Sequence, residues 1–342
     1  MTWEMKMEKD KVIADAIQTA GDLIAENKIQ AAVEKLTQLL SEHEEWADER
    51  LRAEVSILNH QIENQKLLDD WSYFRAIRSV YQYCEAKYAS NVKESKFDAV
   101  SKQEKLPDHD VIWWCWLQGF DQAPDLVKQC HDSLRKLNRP IKIVTEENYS
   151  DYISLPPWIL EKYADGVIDR THFSDLIRIE LLTTRGGTWI DSTVYCSGTE
   201  QVLPLLNSAK VFMFSFVMRD SISKYILFDN WFMHASVESK LLMDAKSLLF
   251  SYWREENTLL HYFIFHILFT IACELNPEES KSIPIYSNEP CHILQRELFS
   301  AYTKERWNQI TGMSDVHKLS YKLDQDRDLK GSFWEFLLET KG

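Results

Sequence analysis

The 342-residue chain predicts an α/β fold with a parallel strand core, preceded by an acidic helical extension. Three observations carry that expectation. Val111-Ile112-Trp113-Trp114-Cys115-Trp116 is an unbroken apolar run, the pattern of a strand buried on both faces. A helical segment from Ala123-Pro124 to Leu137 follows it, and Ile141, Ile143 and Val144 form a second strand, so strand, helix and strand fit within about 35 residues, as in a βαβ unit. The third is Thr171 to Gly198, THFSDLIRIELLTTRGGTWIDSTVYCSG, which reads as a helix, a glycine turn and a short strand ending on a carboxylate.

Residues 1–105 differ in character from the rest. They hold no proline and one glycine, Gly21, and their first 70 residues carry sixteen acids against eight bases. Apolar residues recur at helical spacing in three runs: Ile13, Ile17, Ala20 and Ile24; Ile29, Ala32, Val33, Leu36 and Leu40; Leu51, Val55, Leu58 and Ile62. Asn27-Lys28 is the expected turn between the first two. A further helix runs from Asp70 to Tyr88, with Trp71, Phe74, Ile77, Val80 and Tyr81 on one side. The polar stretch from Asn91 to Asp110 contains the first proline, Pro107, and sets the boundary between an N-terminal region at 1–105 and a main domain at 106–342.

Within the main domain, Pro124 stands where a helix start tolerates proline. Leu176, Ile177, Ile179, Leu181 and Leu182 give the Thr171 helix its apolar face, and Asp175 and Arg178, three apart, can serve one pocket. Gly186 and Gly187 allow positive φ and a sharp reversal. Thr188, Trp189 and Ile190 lead to Asp191, at the strand end where open α/β sheets place their ligands. Val211 to Val217 is another strand. Leu259 to Glu274 reads as a core helix in which His266 is a satisfied buried histidine.

The order Asp-x-x-Arg, apolar helix, Gly-Gly, short strand and Asp191 resembles the core of the capsular polysaccharide synthesis proteins and the related GT-A type glycosyltransferases with a DXD sugar-binding motif. The likeness covers about 90 residues, from IWWCWLQG to DSTVYCSG. Thr193 stands where the second acid of DXD would be. The resemblance implies a GT-A-like, Rossmann-type nucleotide-sugar-binding domain with an N-terminal helical extension. It also implies transfer of a sugar from a nucleotide-diphosphate donor, UDP-linked, to a hydroxyl of a growing capsular or exopolysaccharide glycan, with retention. Asp175, Arg178 and Asp191 would be the catalytic set. Trp113, Trp116 and Gln118 would hold the nucleoside, Asn230 would shape the acceptor side, and Lys318 or Lys322 would meet the diphosphate. A divalent cation, Mn2+ or Mg2+, would be bound by Asp191 and His317, with Thr193 weakening that expectation. The alternative is a catalytically inactive sugar-nucleotide scaffold in a polysaccharide assembly complex.

Composition narrows the partners. A net charge of −14 argues against a nucleic-acid binder, which needs a basic face. The six cysteines show no CxxC and suit a reducing compartment. The first ten residues are mostly polar and charged, and no stretch approaches the roughly 20 apolar residues of a span. A cytoplasmic enzyme is expected, peripheral at the inner membrane face if its acceptor is lipid-linked, with the N-terminal helices as a surface for protein or membrane partners. A dehydrogenase reading lacks GxGxxG after the first strand, and a serine-hydrolase reading lacks GxSxG.

Overall fold

The computed structural model describes residues 11–20, 23, 29–42, 55, 72–90, 92, 106–216, 224–322 and 329–339. The chain divides into two compact units, Met1–Ala76 and Ile77–Gly342. In the first, α1 (11–20) and α2 (Ile29–Glu42) bury Ala16, Ala20, Ala32, Val33 and Leu36 in one small core. The Asn27-Lys28 turn and, apart from Val55, the third helical run lie outside the described residues.

The helix α3 (72–90) falls mostly in the second unit. There Ile77, Cys84 and Tyr88 are buried, the Tyr81 hydroxyl donates to Glu274, and Tyr88 donates to Glu256 at 2.8 Å. Lys87 joins the same acid at 2.7 Å and holds the Glu256 carboxyl down at about 2.

The core of the second unit is a five-stranded sheet, ordered β2-β1-β3-β6-β5. β1 (Ile112–Cys115) lies between β2 (Ile141–Val144) and β3 (Gly187–Asp191), parallel to both. β6 (Phe228–Ala235) adds antiparallel to β3, and β5 (Val211–Ser215) antiparallel to β6. The fully buried IWWC run is therefore the expected inner parallel strand. Alternation along β1 sends Ile112 and Trp114 to one face, where α4 (Asp125–Ser133) contributes Val127 and the following turn contributes Leu134 and Leu137. α5 (Pro157–Ala164) starts with proline at its first position. α6 (Arg170–Thr184) packs on β3, α8 (Lys240–Glu255) and β6, and α8 packs in turn on α9 (Ile264–Leu275). α6 is buried over most of its surface, so its polar residues Asp175 and Arg178 face protein rather than bulk water.

Gly186 and Gly187 make the turn into β3 with φ of 74° and 96°. A Cβ on Gly187 would stand 2.5 Å from the Val111 carbonyl oxygen and 2.8 Å from Trp113 Nε1, so the pair serves a close approach as well as left-handed backbone.

A second, two-stranded sheet pairs β4 (Val194–Cys196) antiparallel with β7 (Val316–Lys318). α7 (Val202–Ser208) follows β4, and the Asp315 carboxylate accepts from the Gln201 and Val202 amides at its start. This ties the late β7 segment to the middle of the chain. All six cysteines are buried and free. α9 starts later than the Leu259 expected from apolar spacing. The Phe263 N–H turns back to His261 Nδ1 at 3.0 Å, and Tyr252 holds the preceding turn through Thr258 and Leu260. Among the described residues no helix is long and apolar enough to cross a membrane.

Candidate active site

Strand order alone marks a place for a ligand. The chain leaves β1 for β2 on one side and returns to β3 on the other, so a crevice opens at the carboxyl ends of β1 and β3. Cys115 and Asp191 are register partners at that end. A cleft of about 240 Å³ sits there, lined after β1 by Trp116, Leu117 and Gln118, by Asp191 and Ser192 after β3, and by one side of α6. A second cleft of about 300 Å³ shares Leu117 and Gln118 with it and continues over Thr145, Glu146 and Glu147 beyond β2. A ligand of two parts can span both.

Asp169 caps α6, accepting from the His172 amide at 2.8 Å, and the helix then carries Asp175 and Arg178 one turn apart. The Arg178 guanidinium bridges two carboxylates. Nη1 donates to Asp175 Oδ1, and Nη2 donates to Asp191 Oδ1 at 2.9 Å. Its Cζ lies 4.7 Å from the Trp189 ring centre and 5.7 Å from that of Phe265, over the face of each ring. Asn230 of β6 donates to Asp175 Oδ1 at 2.9 Å, and the Trp189 indole N–H donates to Asp191 Oδ1 at 2.9 Å. On the other oxygen of Asp191, Lys318 donates at 2.7 Å, and the same ammonium reaches Thr193 Oγ1 at 2.8 Å.

The two acids differ in protonation behaviour. Burial pushes the Asp175 carboxyl up, against the pull of Arg178. Burial also raises Asp191, but Lys318 and Arg178 together outweigh it and hold that carboxyl below the usual range. Asp191 is thus a fixed anion with a cation on each oxygen, while Asp175 is the less firmly ionised partner.

Of the residues singled out from sequence, Asp175, Arg178, Asp191, Asn230, Trp116 and Gln118 line the first cleft, and Lys318 bonds to Asp191 beside it. Trp113 does not join them. It projects to the α6 side of the sheet, 1% exposed, and its indole N–H is spent on the Gly186 carbonyl at 2.7 Å. Lys322 lies on the exposed surface, outside both clefts, and Tyr321 lines the cleft instead, edge-on to Trp116 at 5.5 Å.

His317 is also set apart. It precedes Lys318 on β7, and neighbouring strand residues point to opposite faces. Since Lys318 turns to Asp191, His317 turns inward, fully buried, its Nε2 within 2.9 Å of Ser197 Oγ. Burial lowers its imidazole to about 4. The divalent ion implied by the sequence resemblance therefore finds a poor donor set. Both Asp191 oxygens already accept from Arg178, Trp189 and Lys318, and Thr193 offers only a hydroxyl. Among the described residues no group of three or more His, Cys, Asp or Glu side chains is placed to hold a metal ion.

Sequence reasoning gave His266 a packing role and assigned none to Tyr262 or Tyr321, yet all three line the cleft. His266 is buried, as expected, but not satisfied: its Nδ1 has no hydrogen-bond partner among the described residues. Burial, with Arg178 nearby, lowers it to about 3, so the ring is neutral at pH 7. A histidine in a mostly apolar, buried helical run, IFHILFTIACEL, was the available signal.

A family model described as capsular polysaccharide synthesis protein matches residues 61–337. No curated protein matches the chain. A solved structure described as PaToxG glycosyltransferase is similar over 80% of this chain and 98% of its own, at 13% identity and a TM-score of 0.37. At that distance it transfers no residue roles.

Proposed function

The chain belongs to the capsular polysaccharide synthesis protein family, and from that premise we propose that it is a glycosyltransferase. It moves a sugar from a UDP-linked donor to a hydroxyl of a growing capsular or exopolysaccharide glycan, free or lipid-linked, with retention. The observation that carries this reading is the hydrogen-bonded chain Asn230–Asp175–Arg178–Asp191–Lys318, buried at Asp175 and Arg178 and half-buried at its other members, at the topological crossover of the sheet. Two carboxylates and two cations, locked by one another and by flanking rings, form a rigid polar surface suited to an oxygen-rich ligand.

In this assignment the nucleoside lies across the second cleft. Glu146 and Glu147 stand just past β2, where an acid can accept from ribose hydroxyls, Leu117 and Gln118 form the wall shared with the first cleft, and Trp116 lines the first cleft beside them. The sugar lies in the first cleft, its hydroxyls donating to Asp175 and Asp191. Arg178 holds those carboxylates in place, which is positioning work. The neutral His266 offers one more polar contact, and Tyr262 flanks the cleft mouth. As the anomeric bond breaks, its electron pair goes to the β-phosphate oxygen. The acceptor oxygen forms the new bond on the same face and passes its proton to that phosphate oxygen. Both oxygens of Asp191 are engaged, which supports same-face attack over a covalent intermediate on this residue.

The test is a panel of nucleotide sugars scored for thermal stabilisation and for hydrolysis, with Asp191→Asn beside the wild type. One UDP-sugar should stabilise and be turned over, and folded Asp191→Asn should lose about 10²–10³-fold in turnover. Near-normal turnover by that variant would remove the assignment. Binding with no turnover across a range of acceptors would favour the scaffold alternative, which the Thr193 departure from DXD keeps open.

A further inference from the structure

We infer that the Lys318 ammonium takes the place of a divalent ion in this site, so that donor binding and transfer require no metal. The inference rests on the glycosyltransferase reading above and deepens it. In a DXD arrangement two acids two residues apart share a cation. Here the first position is Asp191, the second is Thr193, and one ammonium already bridges Oδ2 of the former and Oγ1 of the latter at 2.7 and 2.8 Å. Exchanging a carboxylate for a hydroxyl removes one negative charge, and exchanging a dication for an ammonium removes one positive charge, so the balance is kept.

Three further observations point the same way. Asp175 and Asp191 are matched by Arg178 and Lys318, so a dication entering the cleft would meet a set of charges already paired. It would also have to displace Lys318, whose side chain arrives from β7 and is 22% exposed. Moreover, the late histidine that could complete a metal shell is turned away by strand alternation and engaged with Ser197.

An ammonium has three donors. Asp191 and Thr193 take two of Lys318's, and the third has no partner among the described residues. A diphosphate oxygen in the cleft is the group whose charge and geometry answer it. Lys318 would then neutralise charge on the leaving group as the anomeric bond breaks, the electrostatic task that a metal performs elsewhere.

Calorimetric titration of the full chain with nucleoside diphosphates (UDP, GDP, CDP and ADP), in excess EDTA and again in Mn2+, decides the matter. The expected result is that the best binder has the same Kd within about twofold in both buffers, while Lys318→Ala weakens it about 10- to 150-fold, the range of a charge-assisted hydrogen bond. Lys318→Arg, which keeps a cation, should recover part of the loss. Binding that appears only with Mn2+, or is at least tenfold tighter with it, overturns this inference and leaves the sugar-transfer reading standing. Failure of every nucleoside diphosphate to bind folded wild type in either buffer overturns both. Should Lys318→Ala fail to fold, the wild-type comparison of EDTA with Mn2+ still separates a metal-free site from a metal-dependent one.

Discussion

Arg178→Met is the most informative single change in the site, because its cost follows from who loses a partner. Arg178 is 3% exposed and bridges Asp175 and Asp191. Asp191 keeps Lys318 and Trp189 after the change, but among the described residues the Asn230 amide is the one side-chain hydrogen-bond donor left to Asp175. Asp175 becomes a buried carboxylate without a cation, a loss of about 3–5 kcal/mol. Release of the guanidinium from the Trp189 and Phe265 faces adds about 0.5–2 kcal/mol. Adding Asp175→Asn removes the stranded charge, so the double variant should be more stable than Arg178→Met alone by at least about 1 kcal/mol. The pH dependence supplies a second check. Burial already raises Asp175, and loss of Arg178 raises it further, so the native state takes up a proton at a pH where the unfolded chain does not. Stability of the single variant should therefore recover toward wild type as pH falls, and the deficit should be largest above neutrality. Guanidinium chloride midpoints of the wild type, both single variants and the double variant, read at pH 8 and pH 5.5, measure both effects. A double variant whose cost equals or exceeds the sum of its parts, or a deficit in Arg178→Met that does not shrink with acid, would refute the view that Arg178 neutralises Asp175.

Other consequences are simpler. Gly187→Ala meets the Val111 carbonyl at 2.5 Å at a φ of 96°, so it should destabilise by more than about 1–3 kcal/mol and move β3 against β1; a thermal midpoint within 1–2 °C of wild type, where about 1 kcal/mol shifts it by 2–4 °C, would contradict the close packing assigned to that turn. His234, His266 and His317 are held neutral by burial, at about 4, 3 and 4 against 6.5 unfolded. Below pH 6.5 the unfolded chain binds protons that the native state refuses, so stability should fall toward acid by up to about 4 kcal/mol per pH unit until pH 4, and equal urea midpoints at pH 7 and pH 5 would contradict it. His266→Leu removes an unpaired buried nitrogen and should leave the thermal midpoint equal or higher while raising KM for the donor or acceptor about tenfold; a lower midpoint with unchanged KM would return His266 to a packing role.

What the sequence disclosed followed from locality. The IWWC strand, the βαβ unit and the Asp-x-x-Arg…Gly-Gly…Asp run are each set by contacts within a few residues or by the periodicity of one element, and they are found where apolar spacing puts them. The errors are of two kinds. Trp113 and Trp116 look alike in one apolar run, but Trp113 lies inside β1 with its indole on the Gly186 carbonyl, whereas Trp116 follows the strand end and lines the cleft. His266 sits in a helix buried on nearly every side, whose sequence flags a histidine out of place but does not tell a paired imidazole from one turned toward a cavity.

His317 and Lys318 make the more general case. Both residue types belong in such a site, and the segment SDVHKLSYK offers them side by side. A strand can deliver only one of two neighbours to a given face, and the pairing of Val194 with Lys318 and of Tyr195 with His317 fixes which. That register is anchored outside the strand, by Ser197 donating its amide to Asp315 and by the Asp315 carboxylate at the start of α7. The residue separation of 127 between Asp191 and Lys318 is therefore bridged by backbone pairing before any side chain meets. A slip of one residue in β7 would bring His317 to Asp191 and bury Lys318, exchanging a fixed ammonium for a titratable imidazole. The chemistry of the cleft thus depends on the register of a three-residue strand that no local motif marks.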